Sequence, residues 1–279
     1  MIVRDDASTD GTQELLLSLQ KEFPGKVRLI LERSNTFDEE SPLVPLFTAA
    51  KAEYFALCEG DDYWTSNHKL QQCVDVLEAN PSVVLVGHLT TQIDPRLDRR
   101  VNGIQLPVLG RPGAYNRGKL AWCHTSSIVA RTRVISNSWH DYPDVRIGDL
   151  KIKVIAADAG KSCVLNQVMS VYNHHPGNYW RNLDTRERAH SSLEGCRSLL
   201  GRAEASHASL SFMCVRRARA DSNELWRLGR RTEAVSLWLG WIGTLKTIRA
   251  RVLLLAPPYT ACVVRGVWRI RSMLSRSLN

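Results

Sequence analysis

Two acidic clusters near the start of the chain each lie just after a short apolar run. Asp5 to Asp10 comes after Met1 to Val3, and Glu59 to Asp62 comes after Tyr54 to Cys58. Carboxylates crowded at the end of a buried strand repel one another and lose hydration, which is costly unless a cation or donor-rich ligand compensates. Because hard oxygen ligands suit Mg²⁺ or Mn²⁺, the second cluster predicts a divalent metal that holds a diphosphate. Its candidate ligands are Glu59, Asp61 and Asp62.

Strand-type and helix-type patterns alternate through the N-terminal part of the chain. Helical periodicity covers Thr12 to Glu22, Pro42 to Ala52 and Asn67 to Ala79, and β-type runs separate these segments. Such alternation is typical of βαβ units. It predicts an α/β domain with a mostly parallel mixed sheet flanked by helices on both faces.

The C-terminal part of the sequence has a different pattern. From about Thr185 onward the periodicity is helical only, so we predict a boundary near residue 182. Residues 1–182 are expected to form the α/β domain and residues 183–279 a basic helical extension. Residues 92–118 are rich in Pro, Gly and Arg, and they predict a long loop that contributes to binding.

Composition places the chain among soluble globular proteins. Its 279 residues are 44% apolar and 23% charged, and no apolar run reaches the ~20 residues of a spanning helix. Seven scattered cysteines without a C-x-x-C pair indicate reduced thiols in the cytoplasm and argue against a disulfide framework or zinc site. No signal peptide is visible, so a cytoplasmic location is expected.

Positive charge is concentrated at the C-terminal end. Residues 226–279 hold ten Lys or Arg and one acid, Glu233. The net charge of this segment is therefore +9, which equals the net charge of the whole chain. A solvated face of a helical bundle would explain this charge. The functional interpretation is adsorption to an anionic membrane surface, which would make the protein peripheral on the inner face of the cell membrane. No nucleic-acid partner is expected, because no recognised nucleic-acid motif accompanies the charge.

The first acidic cluster has several possible explanations. A calcium loop of the EF-hand type would need an acid where Leu17 stands, and a D-x-D nucleophile would need one at Ala7. A helix N-cap explains one Asp or Thr of the cluster, but it leaves the pair Asp5 and Asp6 unexplained. Either carboxylate could accept a hydrogen bond from a base N–H or a ribose hydroxyl.

Three further segments also have a structural and a functional interpretation. Glu59 to Asp62 could be a solvated turn, although the bulky Tyr63 and Trp64 that follow argue against it. Asp149 could stabilise the start of a helix or act as a general base, and the sequence does not separate these roles. The pair His174 and His175 could be structural or could contact a metal or phosphate.

These segments, taken together, resemble family 2 glycosyltransferases. Val3 to Thr12 resembles the V-x-D-D-x-S-x-D-x-T segment of that family, and Glu59 to Thr65 resembles its D-x-D-type metal and diphosphate motif. His124 to Ser127 and Val171 to Gly177 are similar to later segments of a bacterial branch, so the matches run from residue 2 to about 180.

The resemblance implies a GT-A fold and inverting transfer of a sugar from a nucleotide-diphosphosugar, most often a UDP-sugar, with Mg²⁺ or Mn²⁺. The implied partners are this donor and a glycan or lipid-linked acceptor hydroxyl in cell-surface polysaccharide or glycan synthesis. By carry-over, Asp5 or Asp6 would contact the nucleoside, Asp61 and Asp62 would hold the metal and diphosphate, and Asp149 would be the base. Glu59 and His175 would assist at the metal and the diphosphate.

The chain departs from the family pattern in two ways. The family usually has a strand and a helix before the first Asp pair, whereas this sequence begins inside what would be the second strand, so the catalytic domain is expected to be N-terminally incomplete. Glu59 also stands where the family commonly has Asp. The alternative hypotheses are an inactive nucleotide-sugar-binding protein and a membrane-associated scaffold that acts through residues 226–279.

Overall fold

The computed structural model describes residues 1–36, 41–94, 108–143, 145, 147–178 and 182–244. Strands and helices alternate through the first half of this part of the chain. The strands are β1 (Ile2–Asp5), β2 (Arg28–Leu31), β3 (Tyr54–Ala56), β4 (Tyr63–Trp64), β5 (Val83–Ile93), β6 (Gly113–Tyr115), β7 (Val129–Arg131) and β8 (Lys161–Asn173). The helices are α1 (Thr12–Glu22), α2 (Leu43–Ala49), α3 (Lys69–Ala79), α4 (Thr132–Ser138), α5 (Gly148–Ala159), α6 (Thr185–Leu200), α7 (His207–Arg227) and α8 (Arg231–Thr244).

The described strands form two sheets. Strand β1 pairs in parallel with β2, while the larger sheet has the order β3-β7-β5-β8-β4, with β6 also paired to β8. The predicted α/β class with a mixed, helix-flanked sheet is confirmed. Strand directions are more mixed than the sequence suggested, because β5 and β8 are parallel but β3, β4, β6 and β7 pair antiparallel. An apolar run marks a buried strand but does not encode its direction.

Strand β8 is the longest strand of the larger sheet, and it pairs with β4, β5 and β6. The sequence predicted two short strands here, over 163–165 and 168–172. The structure joins them into one strand, whose register against β5 shifts near His88 and Leu89. Its C-terminal end at Asn173 therefore lies beside β4, which comes directly after the acidic segment.

Two apolar clusters fix the helices against this sheet. In one, Ile135 of α4 and Ile152 and Ile155 of α5 pack with Leu85 and Ala130. In the other, the fully buried Cys73 and Leu77 of α3 pack with Val83, Val86 and Val129. Burial of each Leu or Ile side chain contributes about 1.5–3 kcal/mol to the free energy of unfolding relative to leaving it exposed. This packing stabilises the positions of the strand ends.

The chain divides into two compact units. The first comprises Met1–Pro176 with Gly201–His207, and the second Gly177–Leu200 with Ala208–Asn279. The predicted domain division after residue 182 remains a prediction. Within the predicted loop 92–118 the structure shows β6, while residues 95–107 lie outside the described part. Among the described helices, none combines the length and apolarity needed to cross a membrane.

Candidate functional site

The acidic segment after β3 is a tight turn held between strands. The Asp62 N–H donates to the Glu59 carbonyl at 3.1 Å, which closes the turn. On one side the Leu57 N–H donates to the Ile128 carbonyl at 3.1 Å, and on the other Tyr63 pairs with Val171 of β8. The segment is therefore a turn, as the alternative interpretation had it, but its two ends are anchored to the residue before β7 and to β8.

Asp62 turns inward from this loop. Its side chain is 0% exposed, and its Oδ1 accepts a hydrogen bond from the Asn173 N–H at 3.1 Å. Within the described part of the chain, no donor meets hydrogen-bond geometry at Asp62 Oδ2. Burial raises the pKa of Asp62 to about 6, although the Asn173 N–H and the nearby Ser126 hydroxyl oppose the rise. A buried carboxylate oxygen without a donor is costly.

Glu59 adds to the negative charge around Asp62. The protein atoms near its carboxyl raise the pKa of Glu59 to about 8, although the residue is exposed to solvent. The charges of Asp149, Asp62 and Asp61 raise it further, in that order. The carboxyls of Glu59, Asp61, Asp62 and Asp149 therefore share one electrostatic environment.

His124 faces this cluster from the segment before β7. Its Nδ1 lies 3.6 Å from Asp62 Oδ2, and one ligand atom each from Glu59, Asp62 and His124 lie within 4.8 Å of one another. Burial lowers the pKa of His124 to about 4, so the imidazole is neutral at pH 7 and does not form an ion pair with Asp62. No role was predicted for His124 from the sequence, where it is marked only by the similarity of His124 to Ser127 to a family segment.

The His124 ring is held by neighbours on two sides. Its Nδ1 lies 3.0 Å from Ser126 Oγ, and the Ser126 hydroxyl continues to Ser170 Oγ at 3.2 Å. Ser170 Oγ is in turn 2.8 Å from Thr90 Oγ1, so a buried row of hydroxyls runs from the sheet to the imidazole. The Tyr172 ring packs on the other side, with its centroid 4.5 Å from that of His124.

Asp61 pairs with His175. Its Oδ2 lies 3.0 Å from His175 Nε2, and the two side chains are 33% and 35% exposed. His175 follows the end of β8, and it also acts electrostatically on Asp62. The structure therefore brings the acidic turn into contact with the histidine that the family resemblance implies at the diphosphate.

Asp149 lies in the first turn of α5, where its Oδ2 accepts a hydrogen bond from Lys153 Nζ at 2.6 Å. Burial alone would raise the pKa of Asp149, but the Lys153 ammonium outweighs it, so the pKa lies below its usual value. The carboxylate is thus ionised at neutral pH. Lys153 was missed from the sequence, although its i,i+4 spacing from Asp149 on a predicted helix was a usable signal.

The first Asp pair belongs to the small sheet. Asp5 Oδ2 accepts from the Ser8 N–H at 3.0 Å and from Gln13 Nε2 at 2.7 Å. Burial raises the pKa of Asp5, but these hydrogen bonds outweigh it and hold the pKa below its usual value. Asp6 is 22% exposed, and its Oδ1 accepts from Arg4 Nη2 at 2.9 Å and from the Thr36 N–H at 3.1 Å. Asp5 therefore stabilises the turn before α1, and Asp6 is the more exposed of the pair.

The residues around the acidic turn suit a hard divalent cation. Glu59, Asp61 and Asp62 supply carboxylate oxygens, His124 and His175 supply imidazoles, and Asp62 Oδ2 is buried without a donor among the described residues. Mg²⁺ and Mn²⁺ prefer such ligands, and a cation would offset the repulsion that raises the pKa values of Glu59 and Asp62.

Solved structures share this architecture. A Staphylococcus aureus TarS fragment in complex with UDP-GlcNAc is 13% identical, with a TM-score of 0.64, over 91% of this chain and 74% of that one. The mannosyltransferase PcManGT from Pyrobaculum calidifontis in complex with GDP-Man and Mn²⁺ is 17% identical, with a TM-score of 0.58, over 98% of this chain and 76% of that one. These likenesses confirm the GT-A fold.

Sequence comparison identifies the family. An uncharacterised protein of Mycobacterium tuberculosis is 31% identical over 191 residues, which cover 67% of this chain and 54% of that protein. The chain thus spans about half the length of the curated relatives it matches. An uncharacterised glycosyltransferase of Nostoc is 30% identical over 89 residues, or 32% of this chain and 27% of that protein. The model of glycosyl transferase family 2 matches residues 1–140, half of the sequence. The chain therefore belongs to glycosyl transferase family 2.

Proposed function

We propose that this protein transfers a sugar from a nucleotide-diphosphosugar, most simply a UDP-sugar, to an acceptor hydroxyl with inversion at the sugar carbon. The observation that carries the proposal is the position of Asp149, an ionised carboxylate, in the electrostatic environment of the acidic turn. A displacement of this type needs a base on the acceptor side and compensation of negative charge on the leaving diphosphate. In this proposal Asp149 is the base, and the carboxylates of the acidic turn would hold the cation that offsets the charge of the diphosphate.

The donor would be held at two places. We assign the nucleoside to Asp5 and Asp6, with Asp6 making the contact because it is the more exposed carboxylate. Asp61 and Asp62 would hold the diphosphate through Mg²⁺ or Mn²⁺, with Glu59 and His175 beside them. When bound, the cation would neutralise charge on the departing nucleoside diphosphate. The complexes of TarS with UDP-GlcNAc and of PcManGT with GDP-Man and Mn²⁺ support donors and cations of these classes.

Asp149 would act on the acceptor. Its carboxylate would take the proton from the acceptor hydroxyl while the oxygen forms a bond to the sugar carbon. The bond from that carbon to the diphosphate oxygen breaks on the opposite face, so the configuration inverts and a nucleoside diphosphate leaves. Lys153 would keep the base ionised through its hydrogen bond of 2.6 Å.

The setting of this reaction is also a proposal. We assign it to cell-surface polysaccharide or glycan synthesis, with a glycan or lipid-linked acceptor, at the cytoplasmic face of the membrane. The basic residues of 226–279 would provide electrostatic attraction to anionic lipid. Most of these residues lie outside the described part of the chain. Co-sedimentation with anionic liposomes, with and without residues 226–279, tests this proposal, and equal binding by both forms would refute it.

Calorimetry with UDP and with GDP in the presence of Mn²⁺ tests the donor site. We expect one nucleotide to bind and Asp61→Ala to weaken it at least tenfold, while the exposed helix variant Asp75→Ala leaves the affinity unchanged. If the protein binds neither nucleotide, or if Asp61→Ala binds as well as the wild type, the proposed donor site is wrong.

A second measurement separates binding from chemistry. Asp149→Asn should retain its affinity for the nucleotide. It should lose both the transfer of the sugar to an acceptor and the slow background hydrolysis of the donor. Loss of nucleotide binding in Asp149→Asn would instead indicate that Asp149 has a structural role.

A further inference from the structure

A cavity of about 400 Å³ lies at the end of the larger sheet where β5 and β8 begin. Strand β8 starts there at Lys161 and ends at Asn173, whose amide contacts Asp62. At about 3.3 Å per residue, the two ends of this strand are separated by up to about 40 Å. The cavity is therefore separate from the acidic turn, and the proposed function does not use it.

The walls of the cavity are mainly apolar. Val84, which is 5% exposed, lines it together with Pro81, Val134 and Ala159. Sites for small organic molecules have volumes of roughly 300–1,000 Å³ and mostly apolar walls, with a few polar groups that orient the ligand. The volume and the walls of this cavity therefore suit a ligand with a small apolar body.

Three cationic side chains, Arg117, Arg131 and Lys161, also line the cavity, and no Asp or Glu is among the described residues of its lining. Arg131 has a structural role. Its Nε donates to the Val83 carbonyl at 3.0 Å and its Nη2 to the Leu77 carbonyl at 2.6 Å. These bonds fix the guanidinium between the end of α3 and the start of β5.

Arg117 and Lys161 carry the cationic groups that could receive a ligand, and both residues are exposed. The Nε of Arg117 donates to the Asp158 carbonyl at 2.7 Å, which orients the guanidinium. Among the described residues, no acceptor meets the Nη1 or Nη2 of Arg117 or the Nζ of Lys161. A guanidinium can donate two parallel hydrogen bonds to one carboxylate, and an ammonium adds a compact positive charge beside it.

The charges around the cavity leave an excess of positive charge. Helices α3 and α5 end at Ala79 and Ala159 beside it, and each helix C-terminus carries about half a negative charge. Glu53, whose Oε1 lies 3.6 Å from Arg131 Nη1, contributes one more negative charge. Against the three cationic side chains this leaves a balance of about +1, which one carboxylate would neutralise.

We propose that this cavity binds a small organic acid, a carboxylate carried on a short apolar chain or ring. Arg117 and Lys161 hold the carboxylate, and Val84 and Val134 contact the apolar part. The site goes beyond the proposed function, because it lies at the other end of β8 from the acidic turn and requires neither a nucleotide nor a metal.

Titration of the full chain with hexanoate, followed by NMR of the backbone amides, provides the test. We expect saturable shifts concentrated at the amides of Val84, Gly160 and Lys161, which line the cavity. Hexanamide has the same chain without the charge, and acetate has the charge without the chain. Each should bind at least about tenfold more weakly than hexanoate, because each lacks one half of the recognition.

Variants of the two exposed cations test the residues. Arg117→Gln and Lys161→Gln should each weaken hexanoate binding by about threefold, and the double variant by about tenfold, as expected for exposed charge pairs. Lys161→Arg should retain the affinity, since it keeps the charge. Lys119→Gln is the matched control, because Lys119 is exposed in the same segment as Arg117 but does not line the cavity. Arg131 is left intact because it bonds to the backbone of the fold.

Three results would each overturn the proposal. They are the absence of saturable shifts at the cavity with hexanoate, equal binding of hexanamide and hexanoate, and wild-type affinity in the double variant. Amide spectra of the variants that match the wild type away from the cavity show that the fold is kept. Binding of hexanoate at the cavity by a protein that binds neither UDP nor GDP would refute the proposed function and leave this site standing.

Discussion

Lys153 Nζ lies 2.6 Å from Asp149 Oδ2, one helical turn away in α5. An exposed i,i+4 pair contributes only about 0.3–0.5 kcal/mol, but Lys153 and Asp149 are only 12% and 27% exposed and lie near other titratable groups. Glu59 from the acidic turn and Cys123 and His124 from the segment before β7 act on the same two side chains. The ammonium therefore sets the charge state of the candidate base.

Lys153→Met should shift the pH dependence of transfer. Without the ammonium, burial raises the pKa of Asp149, so the acid limb of kcat should move to higher pH. We expect kcat at pH 6 to fall at least about tenfold, since one pKa unit corresponds to a tenfold change in ionisation. The KM for the donor should be unchanged. Rate profiles from pH 5 to 9, on whichever donor binds, give both quantities.

Two control variants separate the effect of the Lys153 charge from that of losing a lysine elsewhere. Lys153→Arg should restore most of the wild-type profile, and the exposed Lys119→Met should leave it unaltered. A profile of Lys153→Met that overlays the wild type would show that the pair is only a helix contact.

Asp62 should make the stability of the metal-free protein depend on pH. The pKa of Asp62 is raised from 3.8 to about 6 in the folded protein. The free-energy cost of burying its charged carboxylate is therefore absent below pH 3.8 and complete above pH 6. The unfolding free energy should therefore fall as pH rises through this range, by up to about 3 kcal/mol from Asp62. Urea denaturation with EDTA at pH 4 to 7 should show a flatter curve for Asp62→Asn. The exposed variant Asp75→Asn should show the same pH dependence as the wild type. If the stability curve of Asp62→Asn runs parallel to that of the wild type, burial of the Asp62 carboxylate does not destabilise the protein as predicted.

Lys69→Met should stabilise the protein at neutral pH. Lys69 is 1% exposed, and its Nζ has no hydrogen-bond partner in the described part of the chain, although it lies 3.6 Å from the Trp64 ring centroid. Burial lowers the pKa of Lys69 to about 8, so the cost of the buried charge is complete below pH 8 and fades towards pH 10.5.

The expected gain for Lys69→Met is about 1–3 kcal/mol at pH 7 and less at pH 9.5. Urea denaturation at the two pH values measures it. A loss of stability at pH 7 would mean that the cation–π contact with Trp64 outweighs the cost of burying the ammonium.

Gly87 of β5 lies against Cys123, the residue that precedes His124. A Cβ at this position would lie 2.7 Å from Cys123 Cβ and 2.8 Å from Cys123 Sγ, closer than these atoms tolerate. Gly87→Ala should lower the unfolding free energy by about 1–3 kcal/mol, because the buried Cys123 must move to make room for the methyl group. Gly60→Ala, where nothing lies within 4 Å, is the control for stability. Equal denaturation midpoints for the two variants would show that the backbone accommodates the methyl group.

The sequence predicted individual helices and strands better than the contacts between them. Acidic residues after apolar runs correctly indicated that Glu59, Asp61 and Asp62 follow a strand, since the pattern is local. His124 and Asn173 could not be linked to Asp62 in this way, because the contacts join residues 62 and 111 positions apart and depend on how β7 and β8 pair. Periodicity correctly predicted a helix over Thr12 to Glu22 but not how little of it is buried: Leu15 is 68% exposed, and the sheet that β1 and β2 form has only two strands among the described residues.

The Asn173 N–H donates to a carboxylate oxygen of Asp62 at 3.1 Å, whereas most strand amides donate to carbonyls. A carboxylate loses acceptor strength when it takes up a proton or shares its charge with a bound ion. The hydrogen–deuterium exchange rate of this one backbone amide should therefore vary with the state of the acidic turn. The amide of Asn173 is therefore a natural reporter for the state of that turn, readable by NMR without substrate.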